Sequence, residues 1–277
     1  MPDYRSKKRL GQHFLTSPEV VQRILGVIDP QPGQAILEIG PGRGALTVPL
    51  AQSGAQITAV EFDQDIMPYL NKLLKPYENL KVINQDFLTF DPTKVGLKKF
   101  ALVGNLPFNI TSPVIDWVIK HRHMIDFACL MLQKELATRL TASPKSKDWS
   151  PLSIFTQLHF DVIRCFDISA EHFRPRPKVF STLVKLTPKA DVPIKHPALF
   201  EEVVRVSFRR RRKLLVNNLV PEIIDTPQYA NEILHKFGLS GNCRAEELSI
   251  DQFLKLTERL VSCKILPRSS MSDIDCE

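Results

Sequence analysis

The feature that most limits what this chain can fold into is an apolar run that stops at closely spaced glycines: Ala35-Ile36-Leu37-Glu38-Ile39, then Gly40-Pro41-Gly42-Arg43-Gly44. Five apolar-rich residues are strand length, and the glycines let the backbone turn sharply and approach a ligand closely. Similar runs recur at 57–61, 80–84, 101–105 and 127–133, each ending in polar residues. The stretches between them suit crossover helices; Ser17-Pro18-Glu19 opens one with an N-cap and a proline at the first helical position. This alternation predicts parallel βαβ units in a doubly wound α/β sheet. Runs at 160–168 and 182–187, joined by a proline-rich connection, add an antiparallel edge.

Around 188–197 the composition shifts to Pro, Lys and Asp, which predicts a linker. Beyond it the apolar spacing is helical, through Leu199, Phe200, Val203 and Val204 and then Leu214, Leu215 and Leu219. Ser249-Ile250-Asp251-Gln252 fits a capping box that starts a last helix. The expected organisation is therefore an α/β domain over 1–190 and a small helical domain over 191–277, with a disordered tail from about 266.

No apolar run approaches the ~18 residues of a membrane helix, and the start of the chain lacks an apolar signal core. The five cysteines are odd in number and scattered, with no C-x-x-C pair, which argues for reduced thiols in a cytoplasm and against a disulfide framework or a zinc site. The net charge of +7 favours an anionic partner. Beyond residue 191 there are 13 Lys and Arg against 12 Asp and Glu, yet the densest basic run, Arg209-Arg210-Arg211-Arg212-Lys213, lies there. That positive charge is local: either a surface aimed at phosphates or a solvated face.

About 20 residues beyond the glycines, Glu61 ends the next strand, where a carboxylate accepts both hydroxyls of a ribose. Gly40, Gly42 and Ala45 also satisfy the G-x-G-x-x-A pattern of a dinucleotide oxidoreductase. Against that reading, the charge of Glu38 suits the amine of a bound amino acid and would serve a pyrophosphate poorly. Asp86, in Gln85-Asp86-Phe87, either meets an adenine amine or caps the following helix.

Gly104-Asn105-Leu106-Pro107-Phe108-Asn109, after the fourth strand, decides between them. The N6 amine of adenine is a poor nucleophile because its lone pair is delocalised into the ring. The Asn105 side-chain oxygen and the Leu106 carbonyl together would accept its hydrogens and draw the lone pair out of conjugation. Pro107 fixes the turn and keeps Leu106 extended. Phe108 offers a flat surface for an extruded base. These residues predict methyl transfer from S-adenosylmethionine to adenine, with positioning supplying much of the rate.

With these motifs and two more, Arg9-Leu10-Gly11-Gln12-His13-Phe14-Leu15 and Phe173-Arg174-Pro175-Arg176-Pro177-Lys178-Val179-Phe180-Ser181, the chain closely resembles the KsgA-type small-subunit ribosomal RNA adenine N6-dimethyltransferases, specifically bacterial ones. The resemblance runs from Lys8 to about Leu260. It implies a Rossmann-like class I methyltransferase domain, a mostly parallel sheet with an antiparallel edge, plus a small C-terminal helical domain. His13, Leu15, Gly40, Glu61, Asp86 and Asn105 would contact S-adenosylmethionine, with Glu61 on the ribose and Asp86 on the adenine amine. Phe173 would cover the target base opposite Phe108; from chemistry alone it is a stacking platform among Arg174, Arg176 and Lys178, or a loop anchor. The implied reaction dimethylates two adjacent adenosines near the 3′ end of 16S rRNA in the small ribosomal subunit, with no metal and with a monomeric enzyme.

Two positions depart from the commonest family pattern: His13 stands where Asn is usual and Phe108 where Tyr is usual. His13, His121 and His123 lack the spacing of a metal site. The competing readings are the related large-subunit enzyme of macrolide resistance and an assembly factor that has lost catalysis. Leucine at 106 and the Phe173 loop argue against the first, and retention of Asn105 and Pro107 against the second.

Overall fold

The glycine-terminated run forms strand β2 (Ala35–Ile39) in the middle of a seven-stranded sheet. The computed structural model describes residues 7, 10–107, 110–190, 194–236 and 238–263. Beside β2 lie β3 (Gln56–Glu61) and then β4 (Leu80–Asn84) on one side, and β5 (Phe100–Asn105) and β6 (Ile125–Gln133) on the other. All of these neighbours pair in parallel. The sheet ends with β9 (Ser181–Pro188) and β7 (Phe160–Ile168), both antiparallel, so the expected edge is present. Four strands start one or two residues before the runs read from sequence, at Gln56, Phe100, Ile125 and Ser181.

The strand order reverses between β2 and β5, and that is where sheets of this kind open a crevice for ligands. A two-stranded piece lies apart from the sheet: β1 (Phe14–Leu15) pairs antiparallel with β8 (Phe173–Arg174), setting Leu15 opposite Phe173. Helix α1 (Pro18–Ile28) starts at Ser17, whose hydroxyl accepts from the Val20 amide at 3.4 Å. It buries Val20, Ile24 and Ile28 into a cluster with Ile36, Ile57 and Val103. Each such side chain contributes about 1.5–3 kcal/mol by leaving water.

The chain divides into two compact units: 1–141 with 159–190, and 142–158 with 191–277. A single cut after residue 190 therefore misassigns 142–158, which the sequence reading counted in the first domain. The physical reason is Trp149, Ile154 and Leu158, which are buried in one core with Val203, Phe253 and Leu256. Trp149 Nε1 donates to the Leu248 carbonyl at 2.9 Å. The rest of this unit is helical: α7 (Pro197–Ser207), α8 (Leu215–Leu219), α9 (Pro227–Lys236) and α10 (Ile250–Ser262). (Helices α2 to α6 precede them at Thr47–Gln52, Met67–Leu74, Thr111–Lys120, Lys134–Leu140 and Pro151–His159.) Ser249 and Gln252 form the expected capping box, at 3.2 and 2.9 Å. Among the described residues no helix is long and apolar enough to cross a membrane. The tail from about 266 lies outside them.

Candidate active site

At the ends of β2, β3 and β5 a cavity of about 280 Å³ opens in the first unit. The glycine turn forms one part of its wall. Gly40 sits at φ +62° with nothing within 4 Å of where a Cβ would point, so its backbone is open to a ligand. Gly42, at φ +54°, is tightly placed: a Cβ there would meet the Phe14 ring at 3.0 Å, so the ring would have to shift.

Two carboxylates follow from the strands. Glu61 is 6% exposed and accepts from the Gly42 amide at 3.2 Å and the Asp63 amide at 2.9 Å. Burial pushes its carboxyl up, and those two amides offset part of the rise. Each Glu61 oxygen thus holds one donor, which leaves lone pairs for hydroxyls. Glu38 is 2% exposed, and its Oε2 has no hydrogen-bond partner. Burial, with the nearby Glu61 charge adding to it, pushes the Glu38 carboxyl up to about 8. Glu38 bounds a second cavity of about 30 Å³ rather than the large one, together with Leu15, Arg43 and Asn105. A buried acceptor without a partner is costly and invites a cationic donor.

Asp86 lines the large cavity and also caps the next turn, its Oδ1 accepting from the Leu88 amide at 2.9 Å. The cap read from sequence is present, and it leaves the carboxylate acceptor sites to spare for the other role. Phe62, next to Glu61, is 61% exposed on the same cavity. Sequence reading passed over Phe62; its signal was an aromatic directly after the acid that ends a strand.

Asn105 is held by a bond across most of the first unit: its Nδ2 donates to the His13 carbonyl at 2.8 Å. With the amide nitrogen so engaged, Oδ1 is the group left to accept from a ligand. The Leu106 amide donates to Met131 O at 3.2 Å, and among the described residues no backbone donor reaches the Leu106 carbonyl. Asn105, Leu106 and Pro107 all line the large cavity. Pro107 O closes the turn by accepting from the Ile110 amide at 3.3 Å and the Thr111 hydroxyl at 3.1 Å. Phe108 lies outside the described residues.

His13 also lines the cavity, while its Nδ1 sits 2.7 Å from Pro175 O. Its backbone, rather than its ring, thereby orients Asn105. The segment before β1 is pinned further by Gln12, which donates to Asp63 at 2.9 Å, and by Lys7, which bridges Asp63 at 2.6 Å and also Asp65. Neither contact was read from sequence. Leu15 does not reach the large cavity and belongs to the core. Phe173 borders the cavity, yet it is only 1% exposed and packs in that core, so it is not the open platform that its loop suggested.

In the second unit the run 209–213 is exposed. Buried Asn218 clamps it, accepting from the Arg210 amide at 3.2 Å and donating to Ser207 O at 2.8 Å. Arg209 pairs with Glu222, and Arg211 with Glu246 at 3.3 Å. The Arg210 guanidinium donates to Asn217 O at 2.9 Å. Among the described residues the side chains of Arg212 and Lys213 have no such partner.

Comparison with known proteins adds three findings. Residues 4–262 match the model of the ribosomal RNA adenine dimethylase family. A ribosomal RNA small subunit methyltransferase A of Pseudomonas putida is 38% identical over 93% of this chain and 96% of its own length. Among solved structures, a dimethyladenosine transferase of Plasmodium falciparum superposes with a TM-score of 0.78 at 27% identity, covering 91% of this chain and 98% of that one. The 23S rRNA methyltransferase ErmE follows at 0.69 and 28%, covering 90% and 99%.

Proposed function

Since the chain belongs to the ribosomal RNA adenine dimethylase family and is a methyltransferase of ribosomal RNA, we propose that it dimethylates the N6 amines of two adjacent adenosines near the 3′ end of 16S rRNA. It acts in the cytoplasm as a monomer on the small ribosomal subunit, with S-adenosylmethionine as donor. The observation that carries this reading is the tie from Asn105 Nδ2 to His13 O, which leaves the Asn105 and Leu106 oxygens as acceptors on one cavity.

The residues present fit the donor. Glu38, with its partnerless oxygen, would take the ammonium; Glu61 the ribose hydroxyls; Asp86 the adenine amine; Phe62 the adenine face. Gly40 leaves its backbone open beside them, with His13 and the core residue Leu15 bounding the site. A donor bound there supplies a methyl group on a sulfonium. Asn105 Oδ1 and Leu106 O accept the two N–H groups of the target amine, which localises its lone pair toward the methyl. Pro107 holds the carbonyl in place; Phe108 would stack on the base, and Phe173 bounds the cavity from the core. The methylated amine is acidic and loses its proton to water, so no strong base is required. Positioning and preorganised acceptors supply the rate.

The test is to incubate the protein with labelled donor and either unmethylated small subunits or large-subunit RNA, and then map the modified nucleotide. Label on two adjacent small-subunit adenosines is expected. Label on large-subunit RNA alone would give the reaction to the resistance-type alternative.

A further inference from the structure

Phe180 is 51% exposed at the end of the loop that joins β8 to β9, and neither the core nor the reaction described above uses it. Its neighbour Ser181 lines the large cavity, which puts Phe180 one residue along the chain from the cavity wall. The loop is stiff. Pro175 and Pro177 restrict it, Pro177 is buried, and the Phe180 carbonyl accepts from the Lys134 amide at 3.0 Å. A cation accompanies the ring: Lys134 Nζ sits 5.6 Å from its centroid. That ammonium is held by Asp167 at 2.9 Å, and Asp167 is held in turn by Arg164 at 2.7 Å and the Thr182 hydroxyl at 2.7 Å. Arg176, Lys178 and Val179 are exposed on the same loop.

An open aromatic face with fixed and free cations around it is the arrangement that binds single-stranded nucleic acid, because every base has a π-face and every linkage a negative charge. An apolar protein partner would leave these cations unmatched, which favours RNA as the occupant. We propose that Phe180 stacks on a nucleotide flanking the target adenosine, with Arg176 and Lys178 taking the adjoining phosphates. Phe180 is then a substrate-positioning residue that extends the site one base beyond the cavity. The inference rests on the reading that the cavity receives an adenosine from RNA.

The experiment compares Phe180→Ala, Phe180→Leu and Phe180→Trp with the parent on unmethylated small subunits, measuring KM and kcat, with donor affinity by calorimetry. Alanine and leucine are expected to raise KM for the particle about tenfold, with kcat within about twofold and donor affinity unchanged; tryptophan restores KM. Leucine decides the matter, since it keeps the apolar volume and lacks a ring face. A leucine variant with the parent's KM overturns stacking, as does an alanine variant within twofold of it. Should the alanine variant melt early, the leucine and tryptophan pair still discriminates. A parent enzyme that transfers no methyl to these particles overturns the proposed function itself, and this inference with it.

Discussion

In the first unit three carboxylates, Glu38, Glu61 and Asp63, lie buried, whereas the polar side chains buried in the second, Ser153, Thr156, Ser207, Asn218 and Thr257, are all neutral. Most of the neutral ones satisfy themselves locally: Ser207 and Thr257 donate to carbonyls one turn back, and Asn218 closes the arginine turn. Glu38 instead keeps an oxygen without a partner beside a second acid. The first unit accepts a folding cost at a carboxylate that lines a cavity. The second also leaves buried polar atoms without a partner, Thr156 Oγ1 among them. Among the described residues, though, it buries no carboxylate and carries its acidic groups on the outside, where solvent tolerates them. The two units are thus told apart by where acids are buried, not by whether polar groups are left unsatisfied.

The sharpest way to break this contrast is at Asn105. Asn105→Ala is expected to lower single-turnover methyl transfer by about a thousandfold, near 4 kcal/mol, while donor affinity by calorimetry changes only a few-fold. Transfer at the parent rate would remove Asn105 from the mechanism.

A smaller effect is expected from Glu38→Gln. Burial raises the pKa of Glu38 to about 8 in the folded chain, above the ordinary carboxylate value of 4.5, so the folded chain holds a proton that the unfolded chain gives up. Stability from that proton is fully present below about pH 4.5 and is lost as the pH rises toward 8. The glutamine variant should therefore be more stable than the parent at pH 8 by roughly 3 kcal/mol and nearly equal to it at pH 4.5. Glu61, shifted the same way, keeps part of the slope in the variant. Urea melts at both pH values read this directly; identical parent and variant curves at pH 8 would mean that Glu38 is satisfied in solution.

The smallest change belongs to the second unit. Arg212→Ala with Lys213→Ala should leave stability within about 0.5 kcal/mol. It should reduce the slope of log affinity for RNA against log salt by about 2. An unchanged slope would make the run a solvated face.

Most of the fold was legible because strand length and helical spacing are local signals. The parallel pairing of the central strands followed from their alternation with helices, and the caps at Ser17 and Ser249 were readable from three and four residues. What stayed hidden was set by partners far along the chain. Segment 142–158 reads as a continuation of the first domain, and only the later helices reveal its core. At the site, His13, Gly40, Glu61, Asp86, Asn105, Leu106 and Pro107 converge on one cavity, as motif spacing suggested. Phe173 and Leu15 turned out to be core because a two-residue pairing draws them inward, and no periodicity announces so short a strand. The upward shift at Glu38 was equally invisible, since it depends on packing that spacing does not encode.

Trp149 finds its carbonyl acceptor 99 residues later in the chain. At a synthesis rate of about 5–20 residues per second, this bulky segment leaves the ribosome roughly 5–20 s before its partner does. During that wait Trp149, Ile154 and Leu158 are an orphan greasy patch. Any truncation before α10 would remove Phe253, Leu256 and Leu260 from this core and leave the patch partly bare, an aggregation hazard.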